Sequence, residues 1–165
     1  MKIYAGAEIH FHEQEKVSVF FESNSTGKEE WVGELMLLGA YTNRMLVNLG
    51  GKNEATHILA NTLIKCGEDL SEIERQIDCE LVDYRGVPGR KRFIAKLNIK
   101  DEDISFNLKA KGFGILARGV GYYAPVSIFM LAKHLILRRR GDTDYLGQLS
   151  EIMSYYGSLF FKGDQ

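Results

Sequence analysis

Four short segments of the chain alternate between apolar and polar residues, apart from Phe20. Residues 7–12 and 17–22 form the first pair, with a polar turn between them, and residues 95–100 and 104–109 form the second pair. Successive side chains of a β-strand point to opposite faces, so this period of two predicts strands with one buried and one wet face. We therefore expect two β-hairpins.

A helical pattern follows the first hairpin. Apolar residues recur at helical spacing from Trp31 to Leu49, and Gly50-Gly51 ends that helix. Asn53 or Thr56 opens a second helix that we expect to end at Gly67. A short third helix over residues 72–77, capped by Asp69 or Ser71, completes this half.

The second hairpin is followed by a similar series. A long apolar helix ends at the basic run 138–140 and Gly141. Asp142 or Thr143 caps a last helix, which we expect to end at Gly157.

The two halves have the same order of elements at an offset of about 87–90 residues, which indicates an internal repeat. The predicted fold class is α+β: a duplicated ββαα unit in which one antiparallel sheet is covered by helices, with a pseudo-two-fold axis. We expect a single domain, residues 1–165, with repeats at about 1–79 and 91–161 joined by 80–90.

Composition and charge argue against several functional classes for this chain. The chain is 45% hydrophobic and 26% charged, with a net charge of −1. Those values are ordinary for a globular protein and give no overall basic field for nucleic acid. Nucleic-acid binding stays open only through local basic clusters, one at Arg85 with residues 90–92 and one at residues 138–140.

The longest apolar stretch, residues 120–137, contains Pro125 and is interrupted by Lys133 and His134. It predicts a buried helix rather than a membrane span. If the chain does not cover this helix by itself, the helix marks a dimer interface, and we expect a homo-oligomer. The first residues do not resemble a secretory signal, which favours a cytoplasmic location.

Two cysteines, Cys66 and Cys79, are too few for a disulfide framework and too far apart for a CxxC pair. We expect reduced thiols, and a bridge between the two stays open. Glu8, His10 and His12 share one strand face, but no third and fourth metal ligands are evident. A solvated sheet face is the preferred interpretation, so we predict no metal site and identify no cofactor.

The candidate chemistry lies at the two strand–turn–helix junctions. Residues 112–117 match GxGxxA, although the hairpin context does not fit a dinucleotide fold, and residues 24–28 form the matching turn. Backbone N–H groups at a helix start can bind an anion. The predicted ligand-binding residues are Thr26, Gly27, Lys28, Gly112, Gly114, Arg118 and His134.

The first half also resembles the TSCPD-type domains, including those near the C-terminus of adenosylcobalamin-dependent ribonucleotide reductases. The resemblance covers the strand at 17–21, the turn at 24–28, the helix at 31–49 and the segment 70–79. The namesake Thr-Ser-Cys-Pro-Asp motif is absent, because Glu80 follows Cys79. The resemblance implies a shape and a nucleotide-metabolism setting rather than an activity.

These observations predict a non-catalytic ligand-binding or accessory domain for a small anionic ligand that contains phosphate or a nucleotide. One alternative is an enzyme acting on a phosphorylated or nucleotide-like substrate through Lys28, Arg118 or His134. Another is a nucleic-acid-binding protein or a structural oligomer. The sequence leaves open whether there is any catalysis.

Overall fold

The computed structural model describes residues 4–11, 17–23, 28–50, 53–78, 92–100, 103–111 and 116–161. The elements, in chain order, are β1 (Tyr4–Phe11), β2 (Val17–Ser23), α1 (Lys28–Asn48), α2 (Glu54–Glu68), α3 (residues 72–78), β3 (Arg92–Lys100), β4 (Asp103–Lys111), α4 (Leu116–Arg138) and α5 (Thr143–Phe160). The predicted α+β class and both hairpins are confirmed.

The two hairpins join into one antiparallel sheet with the strand order β2-β1-β3-β4. Its central ladder pairs β1 with β3 without interruption, from Tyr4 opposite Lys100 to Phe11 opposite Phe93. A lone two-stranded hairpin is marginally stable in water, so this ladder is what makes each hairpin part of a stable sheet.

One face of the sheet is buried beneath the helices. The side chains of Ile9, Leu97 and Ile99 on the central strands are at most 1% exposed. Ala5, Ala7 and Ala95 share this face, and their small side chains let the helices approach closely. The opposite face of the sheet is mostly polar, and its residues are exposed or half-buried apart from Gly6.

Helices α1 and α4 lie side by side on the buried face, where α1 contacts β1, β2 and β3, and α4 contacts β1, β2 and β4. They run antiparallel, because the side chain of Glu34 near the start of α1 bonds Arg139 just after the end of α4. Helix α5 packs against α1 and, more extensively, against α2.

The long apolar helix is covered within the chain along its described middle. Among the described side chains of α4, seven are buried: Val126, Ser127, Ile128, Phe129, Leu131, Ala132 and Leu135. These residues therefore do not offer the exposed apolar surface that would mark a dimer interface, and the expected homo-oligomer stays a prediction. Within the described residues, no helix is both long and apolar enough to cross a membrane.

Helix ends follow the predicted capping chemistry. Asn53 accepts a hydrogen bond from the backbone N–H of Thr56, and Asp142 accepts one from Tyr145. Gly50 and Gly141, after α1 and α4, have positive φ values of 108° and 88°, a conformation that favours glycine.

The prediction that Gly157 ends the last helix is wrong, because α5 continues to Phe160. Gly157 is a packing residue instead. A Cβ at this position would lie 2.6 Å from the carbonyl oxygen of Ala60 and 2.9 Å from Cγ1 of Ile64 on α2. The absence of a side chain thus allows the two helices to approach closely.

The contacts between α2 and α5 are reciprocal. Gly157 of α5 faces Ala60 and Ile64, and Gly67 of α2 faces Ser150 and Ser154. Adding 90 to positions 60, 64 and 67 gives 150, 154 and 157. In the sheet, Glu8 pairs with Lys96, 88 positions later. These relations fit the proposed duplication with a pseudo-two-fold axis, which stays a prediction.

Substitution of two glycines on α5 tests the close helix pair. We expect Gly157→Ala to destabilise the protein by about 1–3 kcal/mol, because the new Cβ overlaps the backbone of α2. Gly147→Ala is the matched control, since a Cβ there meets nothing within 4 Å. It should be neutral or stabilising by up to about 1 kcal/mol through helix propensity. Urea unfolding measures both, and equal effects would contradict the packing role of Gly157.

Candidate functional site

Most of the predicted junction residues lie outside the described part of the chain. This holds for Thr26, Gly27, Gly112 and Gly114. Lys28 is the first residue of α1 and Arg118 lies in the first turn of α4. The side-chain positions of Lys28 and Arg118 also lie outside the description. Of the predicted set, only the His134 side chain can be placed.

The described starts of α1 and α4 are not adjacent. Because α1 and α4 are antiparallel, the start of α1 lies beside the end of α4. Helix α4 has 23 residues, a length of about 34 Å, so its own start lies far from that point. His134, near the end of α4, therefore lies at the same end of the helix pair as the start of α1, and the backbone of Arg118 lies at the opposite end.

A buried carboxylate lies where the first turns of α1 meet the end of α4. Glu34 on α1 is 0% exposed. Arg139 donates to its Oε2 through Nε at 3.2 Å and Nη2 at 2.7 Å, while the Tyr145 hydroxyl donates to Oε1 at 3.1 Å. Nε of Arg138 lies 3.5 Å from Oε1. We call Glu34, Arg138, Arg139 and Tyr145 the Glu34 cluster.

Aromatic rings surround this cluster. The guanidinium carbon of Arg138 lies 4.8 Å from the ring centre of Phe21 on β2, a cation–π geometry. The rings of Trp31 and Tyr145 meet edge to face with centres 5.4 Å apart. The Glu34 cluster thus connects the end of β2, the first turns of α1, the end of α4 and the start of α5.

Burial shifts the pKa values of Tyr145 and His134 at this cluster. Burial and the neighbouring Glu34 carboxylate raise the pKa of Tyr145, so its hydroxyl remains a hydrogen-bond donor at neutral pH. Burial and the positive charge of Arg138 lower the pKa of His134, an effect that Glu34 partly opposes. The imidazole of His134 is therefore held neutral near pH 7.

Arg138 is the member of the cluster best placed to meet a ligand. Its side chain is 36% exposed, whereas that of Arg139 is 21% exposed and bonds Glu34 twice. Two guanidinium groups and one carboxylate leave the cluster with a net charge of +1. This excess lies beside the start of α1, where the helix dipole adds a partial positive charge.

The thiol of Cys66 does not resemble a catalytic nucleophile. It is free and buried, and Cys79 lies outside the described residues, so the reduced state stays a prediction. Burial, with smaller contributions from Glu72 and Asp69, raises the pKa of Cys66 to about 12. Reactive cysteines have the opposite shift.

No group of three His, Cys, Asp or Glu side chains among the described residues is arranged to hold a metal ion. His10 instead lies 3.1 Å from the carboxylate of Glu8 and edge-on to Phe20, on the exposed face of the sheet. His12 is outside the described residues.

Sequence reasoning missed Glu34, the residue on which the cluster depends. Its signal is an acid at a core position of α1, four residues before Leu38 and seven before Tyr41, both of which are fully buried. A buried acid requires a partner. The partner Arg139 is 105 positions away, and only the antiparallel packing of α1 and α4 brings them together.

Neither a protein-family model, nor a curated protein, nor a solved structure matches this chain. The resemblance of the first half to TSCPD-type domains therefore stays a prediction.

Removal of the buried charge tests the role of Glu34. Glu34→Gln leaves Arg139 without its carboxylate, and we expect a loss of about 3 kcal/mol in unfolding free energy. Glu74→Gln is the matched control, because Glu74 is exposed and forms a single 3.4 Å ion pair with Lys133. It should change stability by less than about 1 kcal/mol. Comparable losses in urea unfolding would show that Glu34 is not a structural centre.

Proposed function

We propose that this protein is a non-catalytic ligand-binding domain that binds a phosphate-bearing anion at the first junction, residues 24–27 with the start of α1. The observation that carries the proposal is the position of Arg138 and His134. Both belong to the second half of the chain, yet both contact Phe21, two residues before β2 ends at Ser23.

Arg138 contacts both of the described elements that flank residues 24–27. Its guanidinium carbon lies 4.8 Å from the ring centre of Phe21 on β2, and its Nε lies 3.5 Å from Oε1 of Glu34 on α1. These two contacts support a site at the start of α1.

The chemistry of these groups suits a phosphate oxygen. A guanidinium can donate two parallel hydrogen bonds to phosphate, and the first backbone N–H groups of a helix have no partner within the helix. Glu29 and Glu30 in the first turn of α1 carry competing negative charge. We therefore expect modest affinity that weakens as salt is added.

Binding without catalysis is favoured by the protonation states of the neighbouring groups. The raised pKa of Tyr145 and of Cys66 keeps both protonated at neutral pH, and Tyr145 is committed to Glu34. The alternative enzyme would use neutral His134 as a base. Turnover of a phosphorylated compound that is lost in His134→Ala would favour that alternative.

The proposal predicts a specific response to inorganic phosphate and ATP. Both should raise the melting temperature at millimolar concentration, since a ligand of the folded state stabilises it by mass action. Arg138→Gln should reduce this increase at least about fivefold, because it removes a charge-assisted hydrogen bond. Arg140→Gln is the control: it removes the same charge from an exposed neighbour and should keep most of the response.

A titration of His134 by NMR gives an independent readout. In the free protein its pKa should lie below 6.5, and bound phosphate should raise it because the anion favours the imidazolium. Because the folded-state pKa is lowered, this histidine makes the protein less stable as the pH falls through 6.5. An unchanged His134 pKa, or equal responses of Arg138→Gln and Arg140→Gln, would refute the proposed site.

A further inference from the structure

The exposed face of the sheet contains a glycine inside a central strand, at the third residue of β1. Gly6 pairs with Glu22 on β2 and with Asn98 on β3, and both ladders continue through it without a bulge. Glycine weakens a strand interior. Where no bulge or bend requires it, such a glycine commonly marks a place where another group approaches the backbone closely.

The missing side chain leaves a depression of about 340 Å³ on this face. A Cβ on Gly6 would lie 2.5 Å from Oδ1 of Asn98 and 3.6 Å from Cγ of Glu22. Glu8, Lys96 and the ring of Phe20 complete its rim. The volume is at the lower end of the range for small-molecule sites.

The corresponding place in the other half of the sheet carries a large side chain. β3 carries Ile94, 88 positions after Gly6, and this residue pairs with His10 on β1. The side chain of Ile94 is half-buried on the same exposed face. The sheet can therefore fill this position with a large residue, so its geometry alone does not account for the glycine at position 6.

The polar groups at the rim favour a cationic ligand. Glu8 and Glu22 contribute two negative charges and Lys96 one positive charge, and Oδ1 of Asn98 leans over the backbone of Gly6. The hydroxyl of Tyr4 donates to Oε1 of Glu22 at 2.5 Å, which orients that carboxylate. Three oxygen acceptors thus surround the gap in an environment of net negative charge.

An aromatic surface lies beside these acceptors. Phe20 is directly opposite Glu8 in the ladder and is 56% exposed, a large apolar area for a sheet residue. The rings of Phe20 and His10 meet edge to face with centres 5.4 Å apart, so His10 packs against the Phe20 ring. An exposed ring can attract a cation over its face or stack against an apolar group of a ligand.

We propose that the depression over Gly6 binds the primary ammonium group of a small amine, independently of the anion site. The ammonium has three N–H donors, which match the acceptors of Glu8, Glu22 and Asn98. The attached apolar part of the amine lies against Phe20. The anion site is at the end of α4, on the helix-covered side of the sheet, so either site can fail without the other.

The test uses 2-phenylethylamine, which combines a primary ammonium with a ring, and its N-acetyl derivative as the uncharged control. We expect the amine to shift the backbone amide NMR signals of Gly6, Glu22 and Asn98 saturably at millimolar concentration. The N-acetyl derivative should leave them unchanged. Equal shifts with both compounds, or no saturable shift up to 20 mM amine, would overturn the proposal.

Variants distinguish between two explanations for Gly6: a ligand site, or a glycine that is needed only because the Asn98 side chain occupies the space above it. Gly6→Ala should abolish amine binding by filling the floor of the depression. If Gly6→Ala fails to fold, Glu22→Gln tests the site instead, because glutamine is isosteric with glutamate and position 22 is exposed. It should raise the dissociation constant at least about fivefold through loss of a charged hydrogen bond. Glu151→Gln on α5 is the control, and an unchanged dissociation constant in Glu22→Gln would contradict the site.

Discussion

The antiparallel ladder between β1 and β3 is the interaction on which the rest of this structure depends. It joins an N-terminal hairpin to a C-terminal one, and neither pair of strands would be stable alone in water. The same ladder aligns the apolar residues of both central strands on one face, which then offers a continuous surface to α1 and α4. Everything above the sheet is positioned by this pairing of distant segments.

The functional candidates follow from that arrangement. Antiparallel packing of α1 and α4 on the sheet brings Arg139 to the buried Glu34, and Arg138 and His134 to the end of β2. A buried carboxylate requires such partners, so the ion pair fixes the end of α4 beside the start of α1. On the opposite face, where no tight packing is required, a single glycine is enough to open a polar depression.

The strands and the helix starts could be predicted from the sequence because residues close together in the chain determine them. Alternation identified each of the four strands in the described part of the chain, and capping residues such as Asn53 and Asp142 identified helix starts within a residue or two. Gly157 was misread, because a glycine that ends a helix and one that admits a neighbouring helix have the same sequence signal. Glu34 and its partners were missed because their contacts cross about 105 positions of chain. The depression at Gly6 requires strand register, which alternation alone does not provide.

Native-state hydrogen exchange on the 165-residue chain tests the central ladder most directly. If that ladder unites both hairpins, the slowest amides of β1 and of β3 should open with one common free energy, equal to that of global unfolding in urea. Separate opening of the two hairpins, with β1 exchanging at a clearly lower free energy than β3, would show that each half is stabilised independently and would contradict this account.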